Sequence, residues 1–473
     1  MSPGFISRTL IGCAIGGLLA WSGYPIALVG VIAAAVIALL FALVSIREPL
    51  VLIAVMLVIL AALPPFYFAA LGETPFYASF LLFPLALAVA VVRFPDLRWK
   101  WDSVGKGLAA FLAGTLVSIP FAFWLSGTTV GLGSLSRWVF LIHAAIVYYL
   151  VRAYSVYPSW WTERRIFRLL LAGAVFSAAY GIVDFVWPIP LPHPAADQFI
   201  WLEGAVVRRA QGVFYESSNF ANFCGFFLIA AAAAYVGRRE RHSGVPRWLL
   251  LVFISILGLA VLVAFSRSTW ASVLMALFIC MLLGRFVRPA RALAVIAALL
   301  VPLVLLWTIS PDLWDYVVNA RVGRLFEILY DPNSATSGRF DTWIRVIAIL
   351  REHPQYLLFG IGYKTLTVTR LFHGEIITDN GYLSLLLETG IAGLAGFLAF
   401  SAAILRTFFR IARSIHDVPA FWATVLFAIW CGELVQLLAS DAYTYWRNIS
   451  VFSAMMALTL NLAERAQGPG ETA

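Results

Sequence analysis

Three arginines, Arg209, Arg267 and Arg339, stand in separate polar segments of a chain that is otherwise mostly apolar. A guanidinium is planar, permanently charged and able to bind two oxygens at once, so arginines drawn from separate segments suit a diphosphate. Each charge-assisted hydrogen bond of this kind contributes ~1.5–3 kcal/mol, and two or three stabilise a pyrophosphate leaving group without a metal. The polar loops around them carry no DxD pair to hold a divalent ion beside a diphosphate, so neither a metal nor a cofactor is expected.

Group transfer from a diphosphate to a hydroxyl also needs a proton acceptor. Asp379 is the first candidate base, with the N-cap of a helix beginning near Asn380 as its alternative role. His373 is the second, its alternative being an ordinary loop histidine. Glu216 and Asn219, within VFYESSNFANF, either position an acceptor or cap the helix that follows. Arg208, Asn380 and Tyr382 are further candidates for positioning donor or acceptor, and Trp201, Tyr215 and Tyr382 for contacts to sugars.

These residues are held by membrane helices. Hydrophobic residues make up 62% of the 473 and charged residues 12%, against about 25% charged in soluble domains, which excludes a soluble enzyme. Apolar runs near residues 8–23, 25–46, 50–67, 76–92, 106–125, 136–155, 166–187, 217–236, 248–264, 267–283, 291–309, 380–401, 418–439 and 447–463 give about 12 to 14 spans of the length a bilayer requires. The first, following Arg8, has no convincing cleavage site and reads as a membrane helix, not a signal peptide. Cys13, Cys224, Cys280 and Cys431 all fall within apolar runs, so neither a disulfide framework nor a zinc site is indicated. No nucleic-acid partner is expected.

Lys and Arg in alternate loops set the orientation: about 21 cations fall on one side and about 12 on the other, which puts both termini in the cytoplasm. The loop after Trp187, the turn at Ser266 and a polar insertion over residues 310–379 then face outward together. Arg321, Arg324, Arg339, Arg345, Arg351, Lys364 and Arg370 crowd that insertion, against the usual charge rule, and imply an anion there. Arg267, in AFSRSTW with almost no loop around it, needs a partner or a watered cavity. Within the insertion an amphipathic helix is expected, with N-cap candidates Ser334, Thr336 and Ser337, an apolar face of Phe340, Trp343, Ile344 and Ile347, and a stop at His353-Pro354. The simplest organisation is a single membrane domain, 1–473, with residues 310–379 as a periplasmic lid.

RRAQGVFYESSNFAN, FSRSTWASV, SGRFDTW with HPQYLLFGIGY, and DNGYLSLLLETGIAGLAG, in this order and spacing over residues 205–400, resemble the motifs of the O-antigen ligase and Wzy polymerase superfamily. The resemblance implies an all-α, GT-C-like polytopic membrane protein with a large periplasmic helical insertion. It further implies a glycosyltransferase of the bacterial inner membrane that uses undecaprenyl-diphosphate-linked oligosaccharide, inverts the anomeric carbon and needs no metal. Membrane lipids, and polysaccharide assembly and chain-length proteins, are the partners such a family implies. On it, Arg267 and Arg339 match arginines that hold the donor diphosphate, and Asp379 occupies the position of the ligases' catalytic histidine while Asn380 and Gly390 keep the pattern. That replacement favours a polysaccharide polymerase over a ligase that transfers polymer to lipid A core. A lipid-linked saccharide transporter is the alternative of another class, although it does not explain polar residues gathered on one side only. A scaffold for a polysaccharide assembly complex is the third.

Overall fold

The computed structural model describes residues 44–62, 67–71, 74–77, 82–93, 97–154, 163–189, 198–202, 205–214, 216–237, 244–283, 289–309, 338–369, 376–414 and 417–467, with positions 95, 311, 330, 331, 333, 336, 371 and 372. The expected spans at 8–23 and, except for its last residues, 25–46 lie outside them, as do Arg321, Arg324, Arg370, Ser334, Ser337 and Tyr215.

Long apolar runs become helices because a helix satisfies every backbone group within itself. They are α1 (Pro49–Ala62), α2 (Leu82–Val92), α3 (Ser103–Leu116), α4 (Ile119–Ser126), α5 (Thr128–Tyr154), α6 (Glu163–Val186), α7 (Ser217–Val236), α8 (Arg247–Val263), α9 (Arg267–Leu283) and α10 (Pro289–Ile309). After the insertion come α13 (Gly381–Ala412), α14 (Asp417–Gln436) and α15 (Trp446–Gln467). The insertion itself contributes α11 (Arg339–Glu352) and the short α12 (Tyr356–Phe359). Among the described residues six helical stretches are long and apolar enough to cross a membrane, α3 and α4 counting as one, and the protein is an all-α polytopic membrane protein.

Two antiparallel hairpins interrupt the helices, β1 (Tyr67–Leu71) with β2 (Thr74–Tyr77) and β3 (Phe199–Leu202) with β4 (Ala205–Arg208). The run at 76–92 therefore begins in a strand. Strands this short leave no apolar period to read, and β4 owes its place to the arginines that end it.

α3 packs along α13, α9 along α14, α5 along α15 and α7 along α8. Aromatic rings fill the centre: Trp430 lies 5.5 Å from Phe400 and 5.2 Å from Phe452. Where α3, α5 and α15 meet, buried Arg152 donates to Asp102 at 2.8 Å and to Glu464 at 2.6 Å, and Asp102 also caps α3.

The insertion has its own small core. Val346, Ile349 and Leu350 of α11 pack with Ile361, Leu366, Phe372, Ile376 and Leu387. The expected apolar face was the other one; Phe340, Ile344 and Ile347 are exposed. The neighbouring set Val346, Ile349 and Leu350 forms the buried face instead. Thr336 accepts the hydrogen bond of the Phe340 amide at 3.2 Å, and the helix stops at His353 as expected.

The insertion is stitched to a break in α13. Gly390 interrupts that helix with φ 66° and ψ −169°, and Gly360 faces it with φ 71° and ψ −170°, a region open essentially to glycine alone. The carbonyls that the break frees, on Leu387 and Glu388, accept from the amides of Ile361 and Gly362 at 3.1 and 2.9 Å. A Cβ on Gly360 would lie 2.2 Å from the Glu388 carbonyl oxygen, and one on Gly390 2.5 Å from that of Leu358. The Glu388 carboxylate adds a bond from the Leu366 amide at 3.1 Å.

Candidate active site

The β3–β4 hairpin sets two neighbouring arginines in opposite directions, as the two-residue period of a strand requires. Arg208 turns to α6, where its guanidinium meets the Asp184 carboxylate at 3.2 Å and the Asp184 carbonyl at 2.5 Å. Asp184 is buried, so this pair fastens the hairpin to the helix bundle. Arg209 turns the other way, donating to the Ala264 carbonyl at 2.9 Å and to Ser218 at 3.4 Å. It thereby sits on the turn, with Phe265 at φ 52°, from which Arg267 opens α9.

Gly338, at φ 81°, turns the chain into α11, and Arg339 is the first residue of that helix. Its Nε donates to Asp379 Oδ2 at 2.9 Å, while Trp343, one turn on, donates to the Thr378 carbonyl at 2.8 Å. Asp379 itself is left-handed, with φ 44°. The cap of α13 is Asn380, whose Oδ1 accepts from the amides of Tyr382 and Leu383, both at 3.1 Å. Capping therefore does not occupy Asp379.

A second ion pair lies alongside. Lys364 donates to Asp441 at 2.8 Å; Ser384 donates to the same carboxylate at 2.9 Å and also bonds Thr378, next to Asp379. The Lys364 carbonyl accepts from Arg137 of α5. Lys364 was visible in the sequence only as one of several loop cations. Asp441, in the polar SDAYTYW between two apolar runs, is 77 residues away, and nothing local marks the pairing.

Glu216 occupies the N-cap position of α7 but makes no capping bond. Gln198, from the foot of β3, binds the first helical residue instead: its Oε1 accepts from the Ser217 amide at 2.9 Å and the Ser217 hydroxyl at 2.7 Å. Burial pushes the Glu216 carboxyl above its ordinary value, and Asp441 and Asp379 add to this against Lys364 and Arg209. Burial draws Arg209 down and nearby Arg339 adds to that, while Tyr445, Glu216 and Asp379 oppose. For Lys364 burial acts downward too, but Asp441, Glu388 and Glu216 outweigh it and the net shift is upward. These mutual effects put Arg209, Arg339, Asp379, Glu216, Lys364 and Asp441 in one electrostatic cluster. α7, α9, α11, α13 and α15 all begin around it, adding the partial positive charge of helix N-termini.

Of the other residues singled out in the sequence, Asn219 is buried in the first turn of α7 with its carbonyl accepting from Asn448 at 3.1 Å, and the Tyr382 hydroxyl donates to the Leu434 carbonyl at 2.9 Å. The second contact anchors α13 to α14. His373 and the side chain of Trp201 lie outside the described residues. Among the described residues no three His, Cys, Asp or Glu side chains gather as a metal site.

A family model described as O-antigen ligase matches residues 250–398, the stretch from α8 to α13 that contains Arg267, Arg339, Asp379 and Asn380. An O-antigen polymerase from Salmonella muenchen is 25% identical over 191 residues, 39% of this chain. Over these stretches the chain is similar to the O-antigen ligase family and to that polymerase. It spans 44% of the length of that curated relative, less than half. Arg209, Glu216 and Asp441 lie outside the matched segment, so the chain completes its charged cluster with residues from flanking segments.

Proposed function

We propose that this protein is a Wzy-type polysaccharide polymerase of the bacterial inner membrane. It transfers oligosaccharide from undecaprenyl diphosphate to a lipid-linked acceptor at the periplasmic face, with inversion and without a metal. The observation that carries this reading is the convergence of cations and carboxylates from distant segments, with Arg339 on Asp379 at 2.9 Å and Arg209 and Glu216 in electrostatic reach. In this reading Arg209, Arg267 and Arg339 bind the donor diphosphate, and a carboxylate of the cluster takes the acceptor proton. Asn380 and Tyr382 hold the start of α13 in position, and Arg208 and Asn219 hold the segments that carry Arg209 and Glu216. The whole chain acts as one membrane domain, with 310–379 as an outward lid and both termini inside; the excess of Lys and Arg in the opposite loops supports this orientation.

The description of the matched family as O-antigen ligase favours a second reading, transfer of finished polymer to lipid A core. One experiment separates the two. Purified protein in nanodiscs receives a single undecaprenyl-diphosphate oligosaccharide from its own source, with EDTA and without lipid A core. A ladder of repeat units on lipid is the expected result; transfer that begins only when lipid A core is added establishes the ligase instead.

A further inference from the structure

Resting on the glycosyl-transfer reading above, we propose that Glu216, in place of Asp379, is the general base that accepts the proton of the attacking hydroxyl. Two geometric features carry this assignment. Asp379 Oδ2 accepts the Arg339 Nε–H at 2.9 Å, which engages this carboxylate with an arginine assigned to the donor diphosphate. Glu216, by contrast, stands at the N-cap position of α7 and makes no capping bond, while Gln198 takes the Ser217 amide and the Ser217 hydroxyl beside it. A carboxylate at a helix N-terminus that does not serve the helix is available to a substrate.

The charged and titratable groups that act on Glu216 are Lys364 and Asp441 from the two flanking loops, Asp379 before α13, Arg209 after the hairpin, and Tyr445 before α15. Burial raises the Glu216 carboxyl above its ordinary value, toward the pH at which a base accepts a proton most effectively. In the transfer step the acceptor oxygen bonds to the anomeric carbon as the bond from that carbon to the diphosphate oxygen breaks. The electron pair of the broken bond leaves with the diphosphate. The hydroxyl proton passes to the Glu216 carboxylate and is returned to water after the product departs.

The test compares full-length wild type, Glu216→Gln, Glu216→Asp and Asp379→Asn in nanodiscs. Undecaprenyl diphosphate binding is measured separately from the pH dependence of transfer from an undecaprenyl-diphosphate oligosaccharide. Glu216→Gln is expected to bind undecaprenyl diphosphate within ~3-fold of wild type while transfer falls ~10²–10⁴-fold. Glu216→Asp is expected to regain part of the rate. The loss of rate on acidification belongs to Glu216, so it persists in Asp379→Asn. The assignment is overturned if Glu216→Gln transfers at near wild-type rate, if Asp379→Asn alone abolishes the acid limb, or if Glu216→Gln loses diphosphate binding and Glu216→Asp does not restore it. Absence of product from wild type on the same lipid overturns the transfer reading itself, whereas product from both wild type and Glu216→Gln overturns the base alone.

Discussion

At the scale of single residues, Arg339 and Arg208 show how similar arginines acquire different tasks. The Arg339–Asp379 pair is 31% and 40% exposed, and exposed pairs contribute at most ~1 kcal/mol to stability. Arg339→Ala is therefore expected to leave thermal unfolding in detergent almost unchanged while transfer falls ~10²–10³-fold, the usual effect of removing one donor to a developing anion. Unfolding at a much lower temperature, with transfer intact in the folded fraction, refutes a diphosphate role for Arg339. Arg208 faces an Asp184 that is 1% exposed, and Arg208→Ala strands that carboxylate; a loss of ~3–5 kcal/mol is expected, read from the unfolding midpoint. For Arg267 the informative change is to lysine. A point charge cannot reproduce the two-oxygen fork, so Arg267→Lys is expected to transfer at least ~10-fold more slowly, and a normal polymer yield counts against the assignment.

Among the elements, the helices that follow from long apolar runs were readable: the runs at 217–236 and 267–283 are α7 and α9, residue for residue. The amphipathic α11 was readable as a helix but not in its orientation, because Phe340, Ile344 and Ile347 form as convincing a stripe as Val346, Ile349 and Leu350. Only the position of α13 decides between them. The sequence offered Asp379 as the cap of α13, and the structure gives that place to Asn380: both side chains cap well, and the left-handed φ at Asp379 is a property of the folded chain. Gly360 admits the close approach of the α13 backbone. Gly390→Ala forces a side chain into an ε-region conformation and against a carbonyl at 2.5 Å; a loss of at least ~2 kcal/mol is expected, with faster proteolysis of the insertion as the readout.

Across the whole molecule, charge divides the bundle into two ends with different duties. Arg152, Asp102, Glu464 and Lys100 tie α3, α5 and α15 together, far in sequence from the cluster around Arg209 and Asp379. Arg152→Ala leaves carboxylates without their buried partner and is expected to cost ~3–5 kcal/mol, while undecaprenyl diphosphate binding by the folded fraction stays at the wild-type level. Composition disclosed the membrane class; it could not disclose which distant loops meet, since Lys364 and Asp441 have no common periodicity. The break in α13 also bears on how the chain is made. Residues 381–389 leave two carbonyls that lipid cannot hydrate, on Leu387 and Glu388, and their donors, Ile361 and Gly362, each emerge from the ribosome 26 residues earlier. This helix cannot complete itself by entering the bilayer alone. The break is closed by a segment that synthesis has already delivered, so the order of synthesis matches the hydrogen bonding of the finished protein.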